Sequence, residues 1–297
     1  MNPAGNPSRM CAQATAWAAT AILLLVAAPA AFAHRLEKRF DVSMRPVVTV
    51  RNDSGSVTVR SWPKNQVLVV ATHESEKIEV DADQRGNRID IVSHVLNQSL
   101  TPKELEAKFE ITVPEETELQ IKNDAGTVAV VRVSGDMTFE TVLSDVNLEE
   151  VAGYLVVKTV SGSLLCMRCA GRLELSSISG NLKLIQPVSS NVRAQTYSGS
   201  IFFDGDFLPG GTYVLKNHRG PIEVRYVDSD SFELRATSIY GKVDAEPSLT
   251  LKPPSHERRA MAGISKGVSN SLIGTYNSGA ARVELTSFSG TISVRKR

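Results

Sequence analysis

A small-residue turn recurs along this chain at a nearly constant interval. Ser-Gly, or a stand-in for it, falls at Gly126, Asp145, Gly162, Gly180 and Gly199, and a second glycine series runs Gly135, Gly153, Gly171. Each repeat therefore holds two turns in about 18 residues with alternating apolar positions between them, which is the signature of stacked β-rungs. A looser continuation runs through Gly220, Gly241 and, after an insertion, Gly290.

Aligned on those turns, the intervening residues fall into columns. After the first turn Val128, Val146, Leu164 and Leu182 align, followed by Val130, Leu148, Cys166 and Leu184. After the second turn come Leu155, Leu173 and Val192, then Val157, Leu175 and Ala194. Equivalent residues on adjacent rungs sit about 4.8 Å apart, so these columns make one continuous apolar core. Thr141, Thr159, Ser177 and Thr196 form a hydroxyl column able to hydrogen-bond along the stack. Outward columns alternate in charge: Arg132, Glu150 and Arg168 align, and Glu140 aligns with Lys158. Such pairs each add roughly 0.2–1 kcal/mol and read as structural. The expected fold is all-β, a single-chain β-solenoid with rungs of about 18–21 residues.

Glycine at a corner answers a backbone requirement, either φ > 0 or close approach of another strand, and the preceding serine bonds locally to backbone amides. Asp145, standing where glycine is expected, tolerates the left-handed region better than most residues.

The ends of the chain depart from the rhythm. Arg9, the apolar run from Ala16 to Ala28 and Ala31-Phe32-Ala33 together read as a signal peptide over residues 1–33, with cleavage before His34. Residues 34–121 hold one clear rung match around Gly55 and read as N-terminal strands that start and cap the stack. Residues 122–297 read as solenoid repeats, with a proline-containing loop insertion at about 247–282 where a binding function is expected. After signal cleavage no integral membrane span is expected, since the apolar run leaves with the signal peptide. The expected location is exported, either periplasmic or at the cell surface.

Charge and motifs exclude several function classes. Without Arg9, residues 34–297 carry equal numbers of basic and acidic residues, so there is no electrostatic footprint for nucleic acid. The five histidines, His34, His73, His94, His218 and His256, form no metal-binding spacing, and neither a nucleophile elbow nor a phosphate loop is present. No catalytic, cofactor-binding or metal site is therefore assigned. Asp204 and Asp206, Asp228 and Asp230, and Asp81 and Asp83 are acid pairs of the kind calcium uses, but they read as solvated turns. The outward column Thr138, Val156, Glu174, Arg193 places no two acids on neighbouring rungs, as a polysaccharide-cleaving site requires. Cys166 and Cys169 form the only C-x-x-C; both fit core columns flanking a corner, as buried thiols or as a disulfide across the turn, with a redox pair as a third reading. Trp62 reads as a cover for the start of the stack.

The stretch VTVRNDSGSVTVRSWPKNQVLVVATH, the repeats of the type LVVKTVSGSLLCMRCAGRLELSSISGNLKL and the closing VELTSFSGTISV resemble the bacterial "putative adhesin" family of exported β-strand-repeat domains of unknown function. The resemblance covers most of residues 40–297. It implies a β-solenoid tied to a bacterial envelope and carries over no functional residue. The expected function is accordingly a non-catalytic, adhesin-like binding or scaffolding module whose partner is an envelope protein or polysaccharide. The alternative is a carbohydrate-active enzyme, a polysaccharide lyase or hydrolase, working in a groove near the insertion. Open final strands also leave room for end-to-end stacking into a homo-oligomer.

Overall fold

The computed structural model describes residues 34–96, 105–246, 249, 251 and 270–297, and every regular element among them is a β-strand. The expected signal peptide lies outside the described residues, as does most of the expected insertion. Ala33–Arg297 forms one compact unit.

The unit begins with β1 (His34–Asp41) and β2 (Val47–Trp62), followed by β3 (Gln66–His73), β4 (Ile78–Arg85), β5 (Arg88–Val95) and β6 (Ala107–Pro114). Single long strands make the next two rungs, β7 (Glu118–Val131) and β8 (Met137–Glu149). Later rungs are split in two at the corner: β9 (Ala152–Thr159) with β10 (Leu164–Met167), β11 (Ala170–Ser177) with β12 (Leu182–Ile185), β13 (Val188–Thr196) with β14 (Ile201–Asp204), and β15 (Thr212–Asn217) with β16 (Ile222–Tyr226). Then come β17 (Phe232–Ser238), β18 (Val243–Ala245) and β19 (Ser271–Tyr276), and finally β20 (Ala281–Ser287) with β21 (Ile292–Lys296).

These strands build a β-solenoid with two broad faces. The first half of β2 pairs in parallel with β7 and the ladder continues through β8, β9, β11, β13 and β15; the second half starts a parallel ladder through β7, β8, β10, β12, β14 and β16. Antiparallel strands close the start, β4 on β5 for one face and β1 on β3 on β6 for the other. Lys38 of β1 donates to the Ala82 carbonyl of β4 at 2.8 Å and ties the two end strands together. The boundary expected between 121 and 122 falls inside β7, which is paired to β2 and β8 along its length, so the stack starts at Val47 and does not divide there.

The columns read from sequence are in register. Val128, Val146, Leu164 and Leu182 are successive partners, as are Leu155, Leu173 and Val192, and all are buried. Burying a side chain of this size contributes roughly 1.5–3 kcal/mol, and a rung supplies several.

One detail of the corners differs from expectation and one is narrowed by the structure. Gly126 pairs with Ser144, and Asp145 pairs with Thr127, so Ser144 is the stand-in for glycine and Asp145 lies one position beyond. The later corner glycines are needed for close approach, not for φ: a Cβ built on Gly162 would lie 1.7 Å from the Ser144 carbonyl oxygen, and one on Gly180 would lie 1.9 Å from that of Gly162. Left-handed backbone belongs instead to the second corner, where Arg132, Glu150, Arg168 and Gln186 all have φ between 47° and 56°.

The rung order also departs from chain order. β20 and β21 lie between two earlier rungs: β20 pairs with β15 and β17, and β21 with β16 and β18. The corner glycines therefore stack as Gly199, Gly220, Gly290, Gly241, not with Gly290 last. β19 covers β17 in antiparallel pairing, so part of the region expected as a loop is the edge strand of this face. Ion pairs hold the inserted rung at its end, Arg295 to Asp244 at 2.6 Å and Arg297 to Asp204 at 2.6 Å.

Candidate functional site

The glycine corner is built from a four-residue unit, hydroxyl or amide, two variable residues, then glycine: TVSG, SISG, TYSG, NHRG, SFSG and SIYG. The first side chain accepts the N–H of the glycine, from Gly180 to Ser177 at 2.7 Å, Gly199 to Thr196 at 3.2 Å and Gly290 to Ser287 at 2.8 Å. These bonds satisfy amides that the bend takes out of the sheet ladders. They run within one rung; cross-rung bonds from the same column go to glycine carbonyls, as from Asn217 to Gly199 at 2.6 Å, or at its start from Asn52 to Asn123 Oδ1 at 2.8 Å. On the rung that lacks glycine, Thr141 Oγ1 is buried without a partner.

Tying the first residue to the fourth turns the two between them outward. Backbone bonds carry the stack through the bend, from Tyr197 to Ile178, Phe288 to Asn217 and Ile239 to Ser287. The first variable position consequently makes a surface column that starts with Asp53 and Asp124 on the first two rungs and continues as Val142, Val160, Ile178, Tyr197, His218, Phe288 and Ile239 in rung order. Leu143 and Tyr240 add to it from the second position. Of the 12 exposed large hydrophobic residues among those described, eight lie on this one corner, including Ile178 at 55% and Tyr240 at 74% exposure. Single exposed apolar residues are ordinary, whereas a continuous exposed patch marks a contact surface.

Half of the ridge is aromatic. The His218 ring is stacked between Tyr197, at 4.4 Å, and Phe288, at 4.5 Å, and Tyr240 meets Phe288 edge-on at 4.9 Å. Rings held this way are rigid, which lowers the entropic cost of binding anything to them. An open hollow of about 340 Å³ lies beside the ring stack, lined in part by Gln195, Lys216 and Thr286. Lys216, Arg219 and Lys242 flank the aromatic end, while Asp124, Glu140 and Asp145 with Lys122 and Lys158 flank the aliphatic end.

The residues singled out from sequence lie elsewhere. Cys166 and Cys169 sit at the second corner, fully buried and joined in a disulfide with Cα atoms 5.9 Å apart. Asp204 and Asp206 receive the Arg297 guanidinium, and Asp228 receives Lys296 at 2.7 Å. Asp230 is buried and accepts the backbone N–H groups of Phe207 and Val227, at 3.0 and 2.8 Å; burial raises its carboxyl above the usual aspartate range. Asp81 faces His94 at 3.4 Å. Among the described residues no three His, Cys, Asp or Glu side chains come together as a metal site. Thr138, Val156, Glu174 and Arg193 are in register as expected. Glu174 bonds Arg172 at 2.6 Å and Tyr154 at 3.0 Å; Arg172 first, then Tyr154, holds its carboxyl below the usual range. The Trp62 indole donates to the Gln66 carbonyl at 2.6 Å and closes the β2–β3 turn.

Sequence reading missed the ridge, although a signal for it was present in the residue that follows each corner hydroxyl. Period-2 alternation, on which the inward columns rest, breaks at a bend and leaves the direction of that residue undetermined.

Taken together, the geometry defines a two-faced β-solenoid with an apolar, partly aromatic ridge on one corner. The chain belongs to the Toastrack DUF4097 family, whose sequence model matches residues 47–295. No curated protein matches it. Among solved structures, a "putative adhesin" from Bacteroides fragilis is similar at 12% identity, with 89% of this chain and 97% of that one covered and a TM-score of 0.38. A "putative adhesin" from Parabacteroides merdae is similar at 10% identity, covering 89% and 96%, with a TM-score of 0.33. A "putative lipid binding protein" from Parabacteroides distasonis is similar at 11% identity, covering 89% and 96%, with a TM-score of 0.35. The family assignment rests on the sequence model alone.

Proposed function

We propose that this chain is an exported, non-catalytic binding or scaffolding module of the bacterial envelope, and that the glycine-corner ridge is its contact surface. The observation that carries this reading is the gathering of eight exposed large hydrophobic residues on one corner. Four of the acids that sequence offered as calcium pairs, Asp204, Asp206, Asp228 and Asp230, are bonded to Arg297, Lys296 or backbone amides, which supports a structural role for them. Export rests on the signal-peptide pattern of residues 1–33.

The test is retention of an intact macromolecule from fractionated envelope protein and polysaccharide by residues 34–297, compared with an Ile178→Asp/Phe288→Asp variant. Both substitutions lie on the surface, so the fold is expected to persist while retention falls about ten-fold or more. Equal retention by both proteins would remove the ridge from the proposal. Shortened polysaccharide products would replace it with the carbohydrate-active alternative.

A further inference from the structure

The spacing of the ridge limits what can follow it over its whole length. Side chains of one column recur at the rung interval, about 4.8 Å, whereas an extended peptide laid along the ridge presents a side chain to it every two residues, about 6.6–6.8 Å. The two repeats fall out of step within a few rungs. Another β-solenoid corner has the same interval, and surfaces of equal spacing interdigitate along their full length. The chain itself carries such a corner.

The order of residues on the ridge selects one way to pair two copies. Tyr197 is the middle of the seven rungs of the column that follow Asp53 and Asp124, with Val142, Val160 and Ile178 on one side and His218, Phe288 and Ile239 on the other. A two-fold axis at Tyr197 sets Ile178 against His218, Val160 against Phe288 and Val142 against Ile239. Small aliphatic side chains then face large rings, and Leu143 faces Tyr240. Flanking charge agrees: the acidic residues Glu140 and Asp145 come to the rung that carries Lys242. Parallel pairing would instead stack rings on rings, acids on acids and Lys216 and Arg219 on themselves.

We infer that the ridge is a self-association surface that joins two copies of this chain side by side, antiparallel, about an axis at Tyr197. The inference rests on reading the ridge as a contact surface and names its partner. An isologous contact of this kind is closed, so it yields pairs and not fibres. Seven rungs span about 29 Å, and a strip two columns wide buries less than the roughly 1,200 Å² of a standard interface. Association is therefore weak in dilute solution and filled at high local concentration. The two broad faces of each copy stay free for other partners.

The experiment uses residues 34–297, the unit that contains the whole described core. Sedimentation from about 10 μM to about 1 mM is expected to show a monomer–dimer equilibrium, weakened about ten-fold or more by Ile178→Asp. Oxidative coupling then fixes the register. Tyr197→Cys is expected to couple to itself, and a mixture of Val160→Cys with Phe288→Cys to couple about ten-fold faster than either alone. The native Cys166–Cys169 pair is buried and already bonded, so it does not compete. A monomer at the highest concentration overturns the inference, and so does Val160→Cys coupling to itself as fast as the mixture. If the protein stays monomeric while Ile178→Asp/Phe288→Asp still abolishes envelope retention, self-association falls and the contact-surface reading stands. If neither effect appears, both fall.

Discussion

At Gly162 the place of a methyl group is already occupied by the Ser144 carbonyl oxygen, 1.7 Å from where the Cβ would be. Neither side yields easily, because the Ser144 carbonyl belongs to β8 and Gly162 is held in the bend by its N–H bond to Thr159 Oγ1. Gly162→Ala is expected to cost about 3 kcal/mol or more. Gly86 is the useful contrast: its φ of 63° strains an alanine, yet nothing lies within 4 Å of the new methyl. Gly86→Ala is expected to cost about 1 kcal/mol, and equal losses in urea denaturation would show that the corner column does not set the spacing. Asp230 gives a prediction of opposite sense to most carboxylates. Burial raises its folded-state pKa above the unfolded value, so the folded state binds the proton more tightly. Its contribution is then full below the unfolded pKa, about 3.9, and is lost as pH rises through the folded value. The Tm of the wild type minus that of Asp230→Asn is expected to grow as pH falls from neutrality, and a flat difference would contradict the buried-carboxylate account.

The corner is the element that shapes the exposed surface here. A hydroxyl three residues before glycine closes the bend, and the two residues between are released from the core to form the ridge. The opposite corner uses left-handed residues, a glycine series and, on one rung, the Cys166–Cys169 disulfide. Its cysteines stand in columns that hold Leu148 and Leu184, and Val133 and Val151, on neighbouring rungs. Cys166→Ala/Cys169→Ala loses the four-residue cross-link, worth about 2 kcal/mol, and leaves space in the column. Cys166→Leu/Cys169→Val refills the columns with their neighbours' residues and is expected to recover the packing part of that loss. Thermal unfolding of the three proteins separates the two contributions; equal stability of both variants would mean that packing plays no part.

Across the whole molecule the inserted rung has consequences for assembly. β17 pairs with β19 and β20, and β20 stands between β17 and β15. In pulse-labelled hydrogen exchange during refolding, β17 is therefore expected to gain protection together with β20 and after β15. Protection of β17 together with β15, ahead of β20, would show that the rungs first stack in chain order and then rearrange. Sequence by itself determined the solenoid, the register of the inward columns and the Glu150–Arg168 ion pair, because each rests on period-2 alternation and on contacts between rungs that follow one another in the chain. It also placed the buried cysteines in their columns, since those columns continue through Leu148 and Val151. Rung order at the far end was decided only by tertiary structure. NHRG, SFSG and SIYG are equally good corners, and nothing in nearest-neighbour pattern ranks their order. The insertion is held by distant partners, β19 along β17, Asp244 for Arg295 and Asp204 for Arg297. The outward direction of the ridge was likewise decided only by tertiary structure, for a physical reason: the alternation that tells inside from outside along a strand stops at the bend where Ile178, Tyr197 and Phe288 turn to solvent.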